Sequence, residues 1–577
     1  MEGDRAVEGA TVPEACDVIL VGGGPTGLSA MLELGRRGVD CLLVEPREVV
    51  SDVRPRAKTT SIRTMEHFRR WGLAATLRDA AYLPVGWSQD VVFCVSLLGP
   101  EVARFTGCFG LTTERSDLFA ETSQQVPQFV VEQVLRDAVA RLPGCTAAYG
   151  WQADRVVRQG AGATVELRSG SGKRRSVRAR FVLGCDGASS VVRKSIGVRY
   201  RGVVDARRNL TAVFAAPGLF ERVPHGPAIQ YWVLQPGASA YMGRLDLEER
   251  WWIGLIGVAP DLGDDEVRAR IAAAVGGPVD LELIGTDPWT GRMLNAERYV
   301  DGDVLLAGDA AHLNPPWGGH GFNTGVGDAV NAAWKVAAVI AGWGGPGLVA
   351  SYEEERLPVA AQTIDIASRQ SARSSADFAD PLLLEDSPRG DAARRRAGAE
   401  IARAKYEEFH ALGLVLGYHY AGSVITCSEE RARTVPSATA TDDLSVYVPT
   451  AAPGHRLPHS WLAPEVSIYD RLGPWFTVVR TGDADPGPLL AAAAARRVPM
   501  TLLDLDPASR RAAEPHIDYG APLVVVRPDQ HVAWRGVGTA DEVERVVDTI
   551  RGAAPARASA AMMTPPVVHV PEAQVRP

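Results

Sequence analysis

Three glycines spaced as G-x-G-x-x-G, Gly22, Gly24 and Gly27, follow the apolar run DVILV directly and open an apolar helical stretch. Pro25 and Thr26 fill the turn between them. Glycine at these places permits a tight turn and lets backbone approach a pyrophosphate. The helix N-terminus beyond adds N–H donors and positive potential. An acid, Glu45, ends the next apolar run, DCLLVE, 18 residues past Gly27, where it can accept bonds from ribose hydroxyls. Strand, turn, helix and acid together read as a dinucleotide site. A glutamate favours an adenosine ribose without a 2′-phosphate, which suits FAD or NAD better than NADP. No second fingerprint of this kind follows a strand elsewhere.

Two further segments carry backbone chemistry. NPPWGGHGFNTG at 314–325 sets prolines beside glycines. Proline fixes φ and removes a donor, whereas glycine admits close approach and positive φ, so the pair shapes a loop for something to lie against. This loop follows DVLLAGD at 303–309, a buried-strand pattern ending in Asp309, and precedes helix signals at 322–342. The other segment is GCDGASSVVR at 184–193, with Asp186 and Gly187 after a strand and Arg193 beyond.

The elements that must position these residues follow from periodicity. A strand at 17–22, a helix at 26–37 and a strand at 40–45 make a βαβ opening. A helical stretch follows at 61–80 and another at 127–142. Residues 90–120 and 208–260 alternate apolar and polar residues, as antiparallel strands do. Helix signals recur at 347–375 and, more charged, at 388–412. After PGHRLPHSWL at 453–462, strands and helices of a second α/β unit alternate up to residue 552. The first 15 residues and the Ala/Pro/Val-rich end read as loose tails.

Bulk properties exclude several classes. A net charge of −8 argues against nucleic acid as a partner. No apolar run approaches the roughly 18–20 residues of a membrane span, and the acidic start MEGDRAVEGATVPEA has no leader pattern, so a cytoplasmic enzyme is expected. The seven cysteines include no CxxC pair, which speaks against a zinc site or a redox dithiol; no metal is expected.

The fingerprint, GCDGASSVVR and the 308–335 strand-loop-helix together resemble the signatures of the class A flavoprotein aromatic monooxygenases, the para-hydroxybenzoate and phenol hydroxylase type. RPRAKTTSIRTMEHFRRWG at 54–72 and PQFVVEQVL at 127–135 are similar to further segments of that family. The later α/β unit resembles the thioredoxin-like domain of phenol hydroxylase and of polyketide-tailoring hydroxylases. With no cysteine after Cys427, that unit carries no dithiol chemistry. It is expected to pack on the first module or to form a homo-oligomer contact.

The resemblance implies an α/β and α+β chain. A Rossmann-type FAD-binding domain would take 16–90, 126–200 and 295–375, and an antiparallel-sheet substrate domain 91–125 and 201–294. A helical connector would follow at 376–452, a thioredoxin-like domain at 453–553 and a disordered tail at 554–577. It implies that Gly22, Gly24, Pro25, Thr26, Gly27 and Glu45 hold the ADP half of FAD, with Arg47 and Arg56 near adenosine and pyrophosphate. Gln128 and Asp309 would meet the ribityl chain, and Asp186 and Gly187 would serve both FAD and the pyridine nucleotide. The isoalloxazine ring would lie against the 314–325 loop. There Pro315 and Pro316 would bound the side where oxygen reacts, Gly318 and Gly319 would admit the ring, and the Gly321, Phe322 and Asn323 helix start would face its O2 and N1 edge.

The implied reaction uses NADPH or NADH to reduce FAD. O2 then adds at flavin C4a to give a hydroperoxide, whose distal oxygen goes to a phenolic or polycyclic aromatic, natural-product-like substrate. Baeyer–Villiger or epoxidising chemistry on a polyketide, a non-oxygenating FAD reductase and a non-catalytic FAD-fold binding protein are the alternatives.

Some residues depart from the family pattern or stay open. His320 stands where relatives often carry lysine or glutamine, and it either adds titratable charge or packs. Lys58 stands where phenol hydroxylases carry an acid; it reads as a solvated lysine, with binding of a phenolate or carboxylate as the other reading. Tyr231, Trp232, Gln235, Tyr241 and Arg244 supply the substrate roof, although alternation puts only half of them on the pocket face. Trp317 caps the pocket or covers the loop. His225 reads as a loop histidine.

Overall fold

A computed structural model describes residues 12–259, 261–371, 373–427, 443–505 and 519–554. The start of the N-terminal tail and all but the first residue of the 554–577 tail lie outside these residues. Among the described residues, no helix is long and apolar enough to cross a membrane.

The strand Ala15–Val21 sits at the centre of the first sheet, parallel to Cys41–Glu45 on one side and to Arg174–Gly184 on the other. Cys145–Tyr149 and Val304–Leu306 extend the parallel set outward. Val18–Val21 and Cys41–Val44 are buried, as expected where helices cover both faces of a parallel sheet. Parallel strands share one carboxyl edge, so Gly22, Glu45, Cys185 and Gly308 all leave the sheet on the same side. The helix Pro25–Gly35 crosses the helix Gly321–Ile340 where small residues let them touch. A Cβ on Gly325 would stand 2.5 Å from Thr26 Oγ1, and one on Gly308 2.6 Å from the same atom.

A second sheet of eight strands is built around Tyr200–Ala215 and Glu282–Ala296, which pair antiparallel for most of their length. Arg250–Ile256, Ala240–Arg244 and Gln230–Val233 continue it. Val91–Cys94 then runs parallel to Gln230–Val233, and Glu101–Phe105 forms the edge. Alternation divides its two faces. Tyr231, Val233, Met242, Trp251 and Ile253 pack with the helix Asp264–Val275. Phe93, Trp232, Tyr241 and Trp252 lie on the opposite face. The helix Pro388–Phe409 covers part of that face, and the Phe409 ring centroid lies 6.1 Å from those of Phe93 and of Trp232.

The last unit is a four-stranded sheet. Phe476–Arg480 is parallel to Met500–Asp504 and antiparallel to Leu523–Val526, which pairs antiparallel with Val532–Gly536. With the helices Gly487–Ala495 and Ala540–Ile550 it forms the thioredoxin-like arrangement. A charged cluster joins it to the first module: buried Glu355 accepts from Arg527 Nη1 and Nη2 and from Lys335 Nζ, each at 2.7 Å.

The strand Glu282–Ala296 is absent from the sequence reading. Its residues are mostly half-exposed and include Pro288, so no apolar alternation marks it. The stretch expected as one helix at 61–80 is two, Ile62–Trp71 and Ala74–Ala80, divided at Gly72 with φ 78°.

Candidate active site and cofactor cleft

The fingerprint glycines differ in their reasons. Gly22 has φ 106°, and a Cβ there would stand 2.4 Å from the Cys185 carbonyl oxygen. A Cβ on Gly27 would stand 1.9 Å from the Gly22 carbonyl oxygen, so this glycine lets helix and strand touch. A Cβ on Gly24 would meet nothing within 4 Å: its backbone faces open space. Pro25 opens the helix, and Gly24 at its N-cap makes no side-chain cap, leaving the first amides directed at that space. Glu45 is nearly buried. Its carboxylate accepts from Gly23 N at 2.8 Å and from Arg47 N and Nε at 3.0 and 2.7 Å. Arg47 also donates to Glu132 at 2.7 Å. The Gln128 backbone N–H donates to the Ala57 carbonyl at 2.8 Å, which ties its helix start to the segment carrying exposed Arg56.

Asp186 is engaged with its own turn. Its carboxylate accepts from Ser190 Oγ at 2.5 Å and from Val191 N and Val192 N at 2.6 and 3.1 Å, capping the helix Val191–Ser195. Gly187 completes the turn with φ 76°. Asp309 differs: its side chain is solvent-accessible, yet the surrounding protein pushes its pKa up, as for a group lining a cleft. Its carboxylate accepts no hydrogen bond from the described residues. Asp328 anchors the same loop from behind, accepting from Gly308 N at 3.0 Å and Arg356 Nε at 2.7 Å and pairing with His312 Nε2 at 2.6 Å.

In the 314–325 loop Pro315 and Trp317 are buried and Pro316 is exposed. Gly318 and Gly319 have φ 72° and 68°. The His320 ring fills the space beside Gly318, where a Cβ would stand 2.3 Å from Nε2. His320 is buried, its Nε2 has no hydrogen-bond partner, and burial pushes its pKa down to about 4. It therefore lines a small cavity behind the loop, with His67, Arg63 and Tyr418, as a neutral ring at pH 7. Half-buried Gly321 and Phe322 open the 20-residue helix. The Asn323 side chain donates to the Thr59 and Gly319 carbonyls at 3.0 and 2.8 Å and accepts from Ser61 N and Thr64 Oγ1 at 3.0 and 2.8 Å.

The substrate-sheet face nearest this loop is aromatic. Trp232 stacks on Phe93 at 5.1 Å and lies 5.6 Å from Tyr241, which lies 5.5 Å from Trp252. Trp289 meets Trp317 edge-on at 5.9 Å, so Trp317 joins this face to the loop. Three residues of the sequence reading belong elsewhere. Tyr231 points to the opposite face, its hydroxyl donating to the Gly226 carbonyl at 2.5 Å, because neighbouring strand residues alternate. Gln235 lies in the turn after its strand, and Arg244 is spent on the Asp246 and Glu248 carbonyls. His225 is a loop residue, 3.7 Å from Glu101.

Lys58 is half-buried rather than fully solvated. Its Nζ sits 3.9 Å above the Trp252 ring and donates to the Arg56 carbonyl at 2.8 Å, and burial pushes its pKa down to about 7. Residues that sequence reading missed are Trp252, Trp289 and three from the connector helix. Phe409 covers the face, Lys405 lies 5.0 Å over Trp232, and the Glu408 carboxylate accepts from Lys405 Nζ at 2.8 Å. The spacing of Lys405, Glu408 and Phe409 on one helix face was the available signal.

Comparison with known proteins agrees with this geometry. The family model for the FAD binding domain matches residues 15–367, and that for the aromatic-ring hydroxylase C-terminal domain matches 450–554. A putative polyketide hydroxylase of Streptomyces halstedii is 30% identical, over 90% of this chain and 93% of its own length. The structure of chromopyrrolic acid-soaked RebC with bound 7-carboxy-K252c matches with a TM-score of 0.84 and 31% identity, covering 94% of this chain and 100% of that one. A ternary complex of aklavinone-11 hydroxylase with FAD and aklavinone matches at 0.76 and 25%, over 94% and 99%. The chain belongs to the FAD-dependent aromatic-ring hydroxylases, flavoprotein monooxygenases that draw on NAD(P)H and O2.

Proposed function

We propose that this enzyme hydroxylates a phenolic ring of a flat, polycyclic, polyketide-like substrate. One observation supports this most: Trp232, Tyr241, Trp252, Trp289 and Trp317 gather on the sheet face that meets the 314–325 loop. Stacked aromatic surfaces with few polar groups suit a fused-ring ligand. The similar proteins named for a polyketide and for aklavinone agree with that class.

The residues present fit FAD. Gly24 offers bare backbone to open space at a helix N-terminus, which suits a pyrophosphate. Among the described residues none donates to the Asp309 carboxylate, which leaves it free to accept from a ribityl hydroxyl. In this reading Gly22, Pro25, Thr26 and Gly27 shape the turn, while Glu45 and Arg47 receive the adenosine ribose. Arg56, Gln128 and Gly187 border the rest of the cofactor. Asp186 acts through the helix it caps.

Bound FAD supplies the oxygen activation and transfer. The chain does the remainder. Gly319, beside which a Cβ would meet only Thr59 Cβ at 3.8 Å, leaves room for a ring, whereas the matching side of Gly318 is taken by His320; Pro315 and Pro316 hold the loop stiff on the oxygen side. The amides of Phe322 and Asn323 stabilise negative charge, by about 0.3–1 kcal/mol and up to about 2 when partly buried. Phe409 and Trp317 keep water from the aromatic face. The domain limits given above, with the connector closing over the substrate sheet, belong to this proposal, as does a cytoplasmic setting where NAD(P)H is at hand.

The test is NAD(P)H oxidation and peroxide release against a panel of phenols and fused-ring aromatics. A true substrate speeds oxidation and lowers peroxide. If every phenol speeds oxidation equally and all reducing equivalents leave as peroxide, the reading is wrong.

A further inference from the structure

We propose that Lys58 is the acid–base partner of the substrate's phenolic hydroxyl, accepting its proton as the ring is readied for oxygen transfer. This rests on the phenol-hydroxylation reading above.

The Lys58 carbonyl accepts from Val126 N at 2.8 Å, which fixes its backbone. The next residue, Thr59, is held through its carbonyl by Asn323 at the start of the loop helix, and its Cβ lies 3.8 Å from where a Cβ on Gly319 would stand. In the other direction the amine reaches Trp252 on the aromatic face. It therefore hangs between the loop proposed for the flavin ring and the surface proposed for the substrate.

An ammonium has three donors, and Lys58 gives one to the Arg56 carbonyl. Lys405 shows the contrast: it also faces an aromatic ring, but it bonds the Glu408 carboxylate at 2.8 Å and the Gln370 carbonyl at 3.0 Å. No carboxylate among the described residues pairs with Lys58. A cation over an indole, lacking an anion, is complete when a phenolate oxygen arrives.

The neighbouring charges do not supply that anion. Arg54 pairs with Asp287, and Arg250 with Asp246. Arg56 and Arg292 act on Asp309, and Glu408, which faces Tyr241 beyond the indole, pairs with Lys405. His320 stays neutral in its own cavity. Burial alone lowers the Lys58 pKa, so both its forms are populated near neutrality.

The proton step balances. The phenol O–H bond breaks, its proton joins the neutral Nζ, and the phenolate electron pair enriches the ring carbon that takes oxygen. O2 and NAD(P)H supply the oxygen atom and two electrons, and the second oxygen leaves as water. The ammonium returns its proton to the product oxygen.

The test uses holoenzyme and emodin, a trihydroxyanthraquinone that changes colour on ionisation. Saturated wild-type enzyme is expected to ionise the dye at about ten-fold higher proton concentration than water does. Lys58→Met loses that shift and forms hydroxylated product about 10²-fold more slowly. Lys58→Arg keeps the charge and the shift but loses the near-neutral limb in the pH profile of product formation. Flavin absorbance reports that each variant folds and holds FAD. The Lys58 proposal falls alone if wild type hydroxylates a phenol and Lys58→Met matches its ionisation and pH profile, or if Lys58→Arg keeps the wild-type limb. A wild type that neither ionises emodin nor hydroxylates any phenol of the panel overturns the phenol reading, and this one with it.

Discussion

The Asn323 side-chain amide donates to the Thr59 carbonyl at 3.0 Å, so the start of the loop helix and the strand beside Lys58 are held as one unit. Three further bonds, to Gly319, Ser61 and Thr64, use the rest of that side chain. Asn323→Ala leaves their backbone partners unpaired, at about 1–3 kcal/mol for each buried group. The expected result is a lower melting temperature and more peroxide per NAD(P)H, read by calorimetry and a peroxidase assay. Unchanged coupling would mean the loop keeps its shape without this clamp.

Gly24 and Gly27 should fail differently. Gly24→Ala places a methyl in open space, so the protein folds but retains little FAD. Gly27→Ala sets a methyl against the Gly22 carbonyl, so folding itself suffers. Circular dichroism and flavin absorbance on both variants separate the outcomes. A fully yellow Gly24→Ala protein would remove the pyrophosphate from this turn.

Acid should unfold the protein through its buried carboxylates. Guanidinium, ammonium and imidazolium partners outweigh burial and hold Glu33, Asp328 and Glu355 down to about 2. The unfolded chain takes up these protons at about pH 4, the folded chain only near pH 2, so protonation favours unfolding. Their stabilisation is complete above about pH 5 and disappears as the pH falls through about 2. Urea midpoints should be level from pH 7 to 5 and fall below about 4. Glu355→Gln strands the buried Lys335 cation and leaves Arg527 with Asp529 as its carboxylate partner, and should cost about 3–5 kcal/mol at pH 7.

His320 is neutral across the working range, because burial holds its pKa near 4. His320→Gln should therefore leave the pH profile of flavin reduction unchanged between pH 6 and 9. A limb that vanishes in this variant would restore the charged reading of the histidine.

What the sequence disclosed follows how local each signal is. The fingerprint turn, Glu45 and the Asp309 loop were legible because strand, turn and helix lie side by side in the chain. Alternation located Trp232 and Tyr241 but not which of Tyr231 and Trp232 faces the cleft, since that depends on where the Asp264–Val275 helix packs. Lys58 read as solvated because nothing nearby in sequence announces Trp252, 194 residues on. The connector's Lys405, Glu408 and Phe409 share one helix face, but what that face covers was not legible, because Trp232 and Phe105 are reached only through the tertiary fold. Asp186 carried the family motif, yet its bonds are those of a helix cap.

The most direct test of hydroxylation is isotopic. Purified holoenzyme is supplied with NAD(P)H, a fused-ring phenol that suppresses peroxide release, and oxygen-18 gas in ordinary water, and the product is weighed by mass spectrometry. The account predicts a product carrying one heavy oxygen as a new ring hydroxyl, with one NAD(P)H oxidised for each. A heavy oxygen found in a lactone or epoxide, or a product formed without oxygen uptake, would contradict it.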